Sequence, residues 1–335
     1  MAFFQLNTPC KSGEFVVYFN RRWCRLILAA FGKAEKFPFA VTLVMINEKE
    51  ILEKLPGLLP LTPLIAAGAG DDCAVINLPG SEQLLAAADQ VIENVHFLPE
   101  TPPEIVGKKL MNRNLSDIAA MGGVPLTALL TLAVNGKSQE YVERFISGVA
   151  DAGMFYNVPV CGGDTACLPV PGVCATLTIL GSIPHGRAVM RSGAKPGDFV
   201  YVTGCIGNSF KSGHHLHFQP RLKEGAFLRE LASAMLDISD GLLLDAERLA
   251  VSSNVSVVLD LDKVPLRSGA VVPSAFSDGE DYELLFTSPE KITSFPSPEM
   301  AQVSCIGQTV PFCGSRLVDK NQSPITMDKT GYVHR

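Results

Sequence analysis

The residues with the clearest chemical potential are carboxylates set inside apolar or small-residue runs. Asp117 lies in Asn112-Arg113-Asn114-Leu115-Ser116-Asp117-Ile118-Ala119-Ala120-Met121-Gly122-Gly123, and Asp71, Asp72, Asp89, Asp164, Asp237 and Asp240 occupy similar settings. An ionised carboxylate is almost never fully buried without a partner, because desolvation costs several kcal/mol or more. No run of Lys or Arg stands beside Asp117 to neutralise it. The expectation is that these acids converge and that a hard cation holds them together.

An oxygen-only set of this kind suits Mg²⁺, which commonly divides its ligand shell between carboxylates and substrate phosphates. His96 is the only histidine near the acids, and none of the nine Cys forms a CxxC pair, so zinc or iron fits poorly. Neither a Walker-type phosphate loop nor a kinase Gly-rich loop is present. A nucleotide would therefore be held by metal ions and turn backbone. Taken singly, each residue has a plainer reading. Asp71-Asp72 after Gly70 makes a turn, Asp164 a turn or cap, Asp237 and Asp240 caps for the following helix, and Glu280-Asp281 a solvated turn. Arg191 reads as a surface or linker residue, His96 as a satisfied core histidine and Tyr156 as packing. The combination favours chemistry, because independent turns rarely place so many acids beside apolar runs.

The elements that would position these acids follow from periodicity and punctuation. Gly68-Ala69-Gly70 lets the chain turn before Asp71-Asp72, and Leu84-Leu85-Ala86-Ala87-Ala88-Asp89 reads as a strand ending in an acid. Thr101-Pro102-Pro103-Glu104 carries the marks of a helix start, with Thr101 as cap, and Gly122-Gly123 with Pro125 ends that helix. Met111, Leu115 and Ile118 form its core stripe, while Asn114 and Asp117 share another face. Strands are predicted over 128–134 and 172–183, with a helix over 139–153 between them. Residues 158–161 are read as a strand running into a Gly162-Gly163-Asp164-Thr165 turn. Residues 199–203 are predicted as a strand, 224–236 as a helix reaching Asp237, 242–250 as a helix and 255–261 as a strand. Ser277–Glu283 is read as an acidic turn feeding a further strand. A short helix is expected over 48–55. The alternation indicates an α/β or α+β architecture. Asn114-Leu115-Ser116-Asp117 and Asp237-Ile238-Ser239-Asp240 echo one another, over too few residues to define a repeat.

At 335 residues the chain has room for about two domains. Its 47% hydrophobic content supports a sizeable core, and its net charge of −6 argues against nucleic-acid binding. The singly placed cysteines suggest reduced thiols and a cytoplasmic setting. No run reaches the ~20 apolar residues of a membrane-spanning helix; the 26–46 stretch is interrupted by Lys33, Glu35 and Lys36. Residues 1–44 carry Lys11, Arg21, Arg22, Arg25, Lys33 and Lys36 against Glu14 and Glu35. They are read as an extension ahead of a start at Met45 rather than as a targeting peptide.

Six segments, in order, resemble the thiamine-monophosphate kinase family. They are Gly-Asp-Asp-Cys-Ala (70–74), Asn-Leu-Ser-Asp-Ile-Ala-Ala-Met-Gly (114–122), Gly-Gly-Asp-Thr (162–165), Arg-Ser-Gly-Ala-Lys-Pro-Gly-Asp (191–198), Asp-Ile-Ser-Asp-Gly-Leu (237–242) and Gly-Glu-Asp-Tyr-Glu-Leu-Leu-Phe (279–286). Asn-Leu-Ser-Asp is shared across the wider aminoimidazole-ribonucleotide synthetase-like superfamily. The 191–198 and 279–286 segments narrow the resemblance to the kinases. Three departures from the family pattern stand out: Ala87-Ala88 stand for Ser-Thr, Asp278 for a Gly, and Lys329 for an aromatic residue.

The resemblance implies an α/β (α+β) two-domain architecture. An N-terminal domain (45–185) would bind ATP and Mg²⁺ and form a homodimer through its sheet. A linker (186–198) and a C-terminal α/β domain (199–335) would follow, with 1–44 outside the match. It implies several Mg²⁺ ions held by Asp72, Asp89, Asp117, Asp164, Asp237 and Asp240. ATP would be contacted by Tyr156, Gly163, Asp164, Arg191 and Ser239, and thiamine monophosphate by His96 and Glu280. The expected reaction is direct in-line transfer from ATP to thiamine monophosphate, with no protein general base. The rival expectations are another ATP-dependent synthetase of the superfamily and a non-catalytic nucleotide-binding homologue.

Overall fold

The computed structural model describes residues 61–325, with 51, 54, 55, 57, 58 and 59. The 1–44 extension, most of the 48–55 helix and Lys329 lie outside the described residues. The described residues from 61 to 325 belong to one compact unit, and it holds every element discussed below.

Its first sheet contains β1 (Ile65–Ala67), β2 (Ala74–Asn77), β3 (Glu82–Ile92), β4 (Val124–Asn135), β5 (Val160–Cys167) and β6 (Gly172–Pro184). The spatial order is β1-β2-β3-β6-β4-β5. All neighbours are antiparallel except β4 and β5. The period-2 rule is plain in β6, where Val173, Ala175, Leu177, Ile179, Gly181 and Ile183 are buried while the residues alternating with them stay partly exposed. Helices α1 (Pro103–Ala120) and α2 (Gln139–Phe155) accompany this sheet. They cross where Gly107 meets Gly148: a Cβ on Gly107 would strike the carbonyl oxygen of Phe145, and one on Gly148 that of Glu104.

After 186–198, which holds no helix or strand, come β7 (Phe199–Thr203), the one-turn helices α3 (Ser209–Ser212) and α4 (His214–His217), and α5 (Leu222–Leu228). Then follow β8 (Ala234–Asp237), α6 (Leu242–Ser252), β9 (Val255–Leu259), β10 (Leu284–Ser288), β11 (Val303–Pro311) and β12 (Leu317–Asp319). This second sheet has the order β12-β9-β11-β7-β10-β8, with β12 and β9 its parallel pair. The architecture is thus α/β with two mixed, mainly antiparallel sheets. Among the described residues no helix is long and apolar enough to cross a membrane.

Four local expectations give way to the structure. The chain between Val160 and Cys167 is strand throughout, so Gly162-Gly163-Asp164-Thr165 is not a turn; parallel pairing to β4 carries it forward. Strand β3 continues past Asp89 to Ile92, because β6 pairs with it along its whole length. Residues Ala234–Asp237 are a strand rather than the end of a helix. Their short apolar run fits either element by pattern, and pairing with β10 decides it. The cap residue of α1 is Pro102, with no side-chain cap bond. That sets Thr101 one residue too early to reach the first-turn N–H groups, and Glu104 pairs with Arg144 at 2.9 Å instead.

Helix α1 also differs from a one-faced amphipathic helix. It packs against α2, β3, β4 and β6 from the first half and against α4, α5 and β8 from the second. Lys109, Asn112, Asn114 and Ser116 are consequently as buried as Leu110 and Leu115. Its polar residues must therefore find partners inside the protein, and those partners build the site.

Candidate active site

Asp72, Asp117 and Asp237 each offer a carboxylate oxygen, and these oxygens lie within 4.8 Å of one another. They arrive from three parts of the chain: the turn before β2, the last part of α1 and the end of β8. Burial comes first in pushing Asp117 and Asp237 well above the usual carboxylate range. Like charges add to it, Asp89, Asp237 and Asp72 at Asp117, and Asp72 and Asp245 at Asp237. Ser116 opposes the rise at Asp237 by donating its Oγ–H to Oδ2 at 2.6 Å. The same burial and acids push up the thiol of Cys73. A compact set of hard oxygen donors that repel one another fits a divalent cation such as Mg²⁺.

Arginines bracket this triad. Arg191 places Nη2 at 2.6 Å from Oδ1 of Asp72, and its main-chain N–H donates to Asp71 at 2.6 Å. Arg113 donates from Nε to Asp89 at 3.0 Å, while Asn114 Oδ1 accepts from the Asp89 N–H at 3.0 Å. Asp240 bonds Arg248 at 2.6 Å and gives its N–H to Asp245. No run of basic residues stands beside Asp117, but one cation does reach it: Arg113, one turn earlier on the same helix, pulls its pKa down against the burial and the neighbouring acids.

Of the six acids read as metal ligands, the structure gathers Asp72, Asp117 and Asp237. Asp89 and Asp240 stand next to that group, each with its own arginine. Asp164 lies exposed on β5, the edge strand, outside the triad. Gly163 beside it has φ 154°, and a Cβ there would collide with the carbonyl oxygen of Leu130. Tyr156 caps the C-terminus of α2, half-buried and edge-on to Phe155 at 4.9 Å.

The remaining predicted residues meet at one place. Glu280 has φ 57°; its N–H donates to the carbonyl of Ser239 at 2.7 Å, and Ser209 Oγ donates to its carbonyl at 2.5 Å. Its carboxylate accepts from Lys109 Nζ at 2.6 Å, and the same ammonium donates to the carbonyl of His96 at 2.6 Å. The acidic turn is therefore not a solvated one. Asp281 pairs with Arg267 at 2.7 Å and Glu283 with Arg221 at 2.5 Å, both carboxylates buried.

Lys109, Arg113, Ser116 and Arg248 also belong to this site, and sequence reasoning misses them. A signal was present: Lys109, Arg113 and Asp117 recur every four residues, which sets three charges along one stripe of a buried helix.

Comparison with known proteins adds a second kind of observation. Residues 70–183 match the family model for the N-terminal domain of AIR synthase related proteins. The chain is similar to the thiamine-monophosphate kinase of Escherichia coli K12, 34% identical over 302 residues covering 81% of this chain and 92% of that protein. The thiamine-monophosphate kinase of Rhodopirellula baltica is 35% identical over 286 residues, 78% of this chain and 89% of that one. Among solved structures, AaThiL complexed with AMPPCP and TMP superposes with a TM-score of 0.76 at 29% identity, covering 88% of this chain and 100% of that one. The hydrogenase maturation protein HypE of E. coli, at 16% identity and a TM-score of 0.62, shares the fold alone.

Proposed function

The chain belongs to the thiamine-monophosphate kinase family, and we propose that it phosphorylates thiamine monophosphate to thiamine diphosphate with ATP as donor. The observation that carries this reading at the site is the meeting of Asp72, Asp117 and Asp237 within 4.8 Å. The similarity to AaThiL complexed with AMPPCP and TMP supports ATP and thiamine monophosphate as the two substrates.

We read Asp72, Asp117 and Asp237 as the inner metal ligands, with Asp89, Asp164 and Asp240 completing a set for several Mg²⁺ ions. Bound Mg²⁺ would supply the positive charge that offsets repulsion between two phosphates and would help align them. The acceptor is a phosphate oxygen that is already anionic, so the chain needs no strong general base. Its own work is to orient and to hold charge in place. Ser116 fixes the rotamer of Asp237, and Arg191 fixes Asp72 while offering guanidinium N–H groups toward the donor. Tyr156, Gly163, Asp164, Arg191 and Ser239 are assigned to ATP, and His96 and Glu280 to thiamine monophosphate. The bond from Glu280 N–H to the Ser239 carbonyl supports placing these two assignments side by side. Transfer is direct, with no phosphoenzyme.

Three further parts of the reading have their own support. The division into 45–185, a 186–198 linker and 199–335 is supported by the two sheets falling on either side of a stretch without helix or strand. A homodimer through the first sheet is supported by Val124, Leu126 and Leu129 on β4, which are 50%, 46% and 41% exposed. A cytoplasmic setting is supported by the free cysteines among the described residues.

The test is to incubate the purified chain with ATP, Mg²⁺ and thiamine monophosphate and to assay thiamine diphosphate. Product is expected. ATP binding without product would overturn the reading in favour of a non-catalytic homologue.

A further inference from the structure

Lys109 sits in α1 with 0% exposure, among Val106, Leu110 and Met111. A fully buried ammonium is rare and persists only where it is paired. The two partners of Lys109 come from distant segments: the carbonyl of His96, 13 residues away, and the carboxylate of Glu280, 171 residues away. The main chain of Glu280 is already fixed through Ser239 and Ser209, in a left-handed conformation uncommon for a non-glycine residue. What remains adjustable is its side chain, and Lys109 holds one carboxylate oxygen. That side chain is 23% exposed while Lys109 is sealed, so of the pair only Glu280 reaches the surface.

We propose that Lys109 is a positioning residue for the acceptor end of the site: from behind, it fixes the Glu280 carboxylate against the His96 turn, so that the outward oxygen can meet the N–H-bearing or cationic ring of the acceptor. The inference rests on the function proposed above and names a residue that acts on substrate only through Glu280.

Chemistry gives the arrangement a pH signature. Burial brings the Lys109 ammonium down to about 8, against the pull of Glu280. The charged or titratable groups around it are Glu280 from the 279–282 loop, Arg113 on its own helix, Asp89 from β3 and His215 from α4. His96 supplies a carbonyl from the turn after β3. At pH 7 the ammonium is present and the clamp is closed. Above about pH 8 the proton is lost and the Glu280 carboxylate loses its strongest donor.

The experiment uses the full chain, Lys109→Met, Lys109→Arg, Glu280→Gln and the Lys109→Met/Glu280→Gln double variant, with thermal melts on each. KM for thiamine monophosphate and for ATP is measured between pH 7 and 9. Lys109→Met is expected to raise the acceptor KM on the order of 10- to 100-fold, the worth of a charge-assisted bond, and to leave the ATP KM within about twofold. The double variant is expected to be no worse than Glu280→Gln alone. The wild-type acceptor KM is expected to rise above about pH 8, and that rise to be absent in Glu280→Gln and in Lys109→Arg, whose guanidinium does not titrate there. Additive losses in the double variant, equal rises in both KM values, or a flat wild-type profile would each overturn the proposal. If Lys109→Met does not fold, the wild-type and Glu280→Gln profiles decide it. A wild-type chain that makes no thiamine diphosphate overturns the function and this inference together. Turnover with an acceptor KM unmoved by Lys109→Met overturns this inference alone.

Discussion

Replacing Asp117 with Asn separates metal chemistry from packing. The triad oxygens lie within 4.8 Å of one another, and at that separation two unit charges repel by ~3.5 kcal/mol at an effective dielectric of about 20. Asp117 takes part in two of the three pairs, with Arg113 and Arg191 returning part of the energy. In EDTA, Asp117→Asn is therefore expected to be as stable as the wild type or more so, by about 1–3 kcal/mol. Saturating Mg²⁺ works in the opposite direction. At a hundredfold excess over Kd it stabilises the wild type by about 2.7 kcal/mol, roughly 4 °C in Tm for a chain of this size. The variant is expected to gain less than half of that, and its turnover to fall by about 100-fold or more. The assay is a pair of thermal melts, in EDTA and in Mg²⁺, beside initial rates. A variant that melts several degrees early in EDTA yet keeps its activity per folded molecule would refute the reasoning, because Asp117 would then be a structural acid.

Ser116→Ala removes a 2.6 Å bond to Asp237; since that bond holds the Asp237 pKa down, the Mg²⁺ concentration for half-maximal rate is expected to rise about 10-fold in a metal titration. Arg191→Lys keeps the charge but loses the fork that spans Asp72, and is expected to raise the ATP KM about 10-fold with the acceptor KM little changed in steady-state assays. Gly163→Ala meets the Leu130 carbonyl from an already positive φ, so a denaturant melt should show a loss of about 1–3 kcal/mol, and hydrogen exchange should place the loosening at β5.

Much of this fold is legible in the sequence because the relevant signals are local. Strand β6 declares itself by alternation from Val173 to Ile183, and α2 by its amphipathic period. What escapes is decided by partners far along the chain. Whether Ala234–Asp237 is helix or strand depends on β10, some fifty residues later. Whether Gly162–Thr165 turns or extends depends on β4. The site divides the same way: the acids are recognisable, but their pairing with Arg113, Arg191 and Arg248 is not, since most of those bonds join residues remote in sequence. The row Lys109, Arg113, Asp117 joins the two levels. Four residues of α-helix rise ~6 Å, so one stripe of α1 places a hold on Glu280, a hold on Asp89 and a carboxylate of the triad at regular steps over ~12 Å. The helix is buried on nearly every side, which makes it a rigid spacer between the acceptor end and the metal end. That geometry explains why substitutions along a single helix should separate kinetically. A change at Lys109 should register in the acceptor KM, and a change at Asp117 in metal dependence and turnover, although the two side chains share one face.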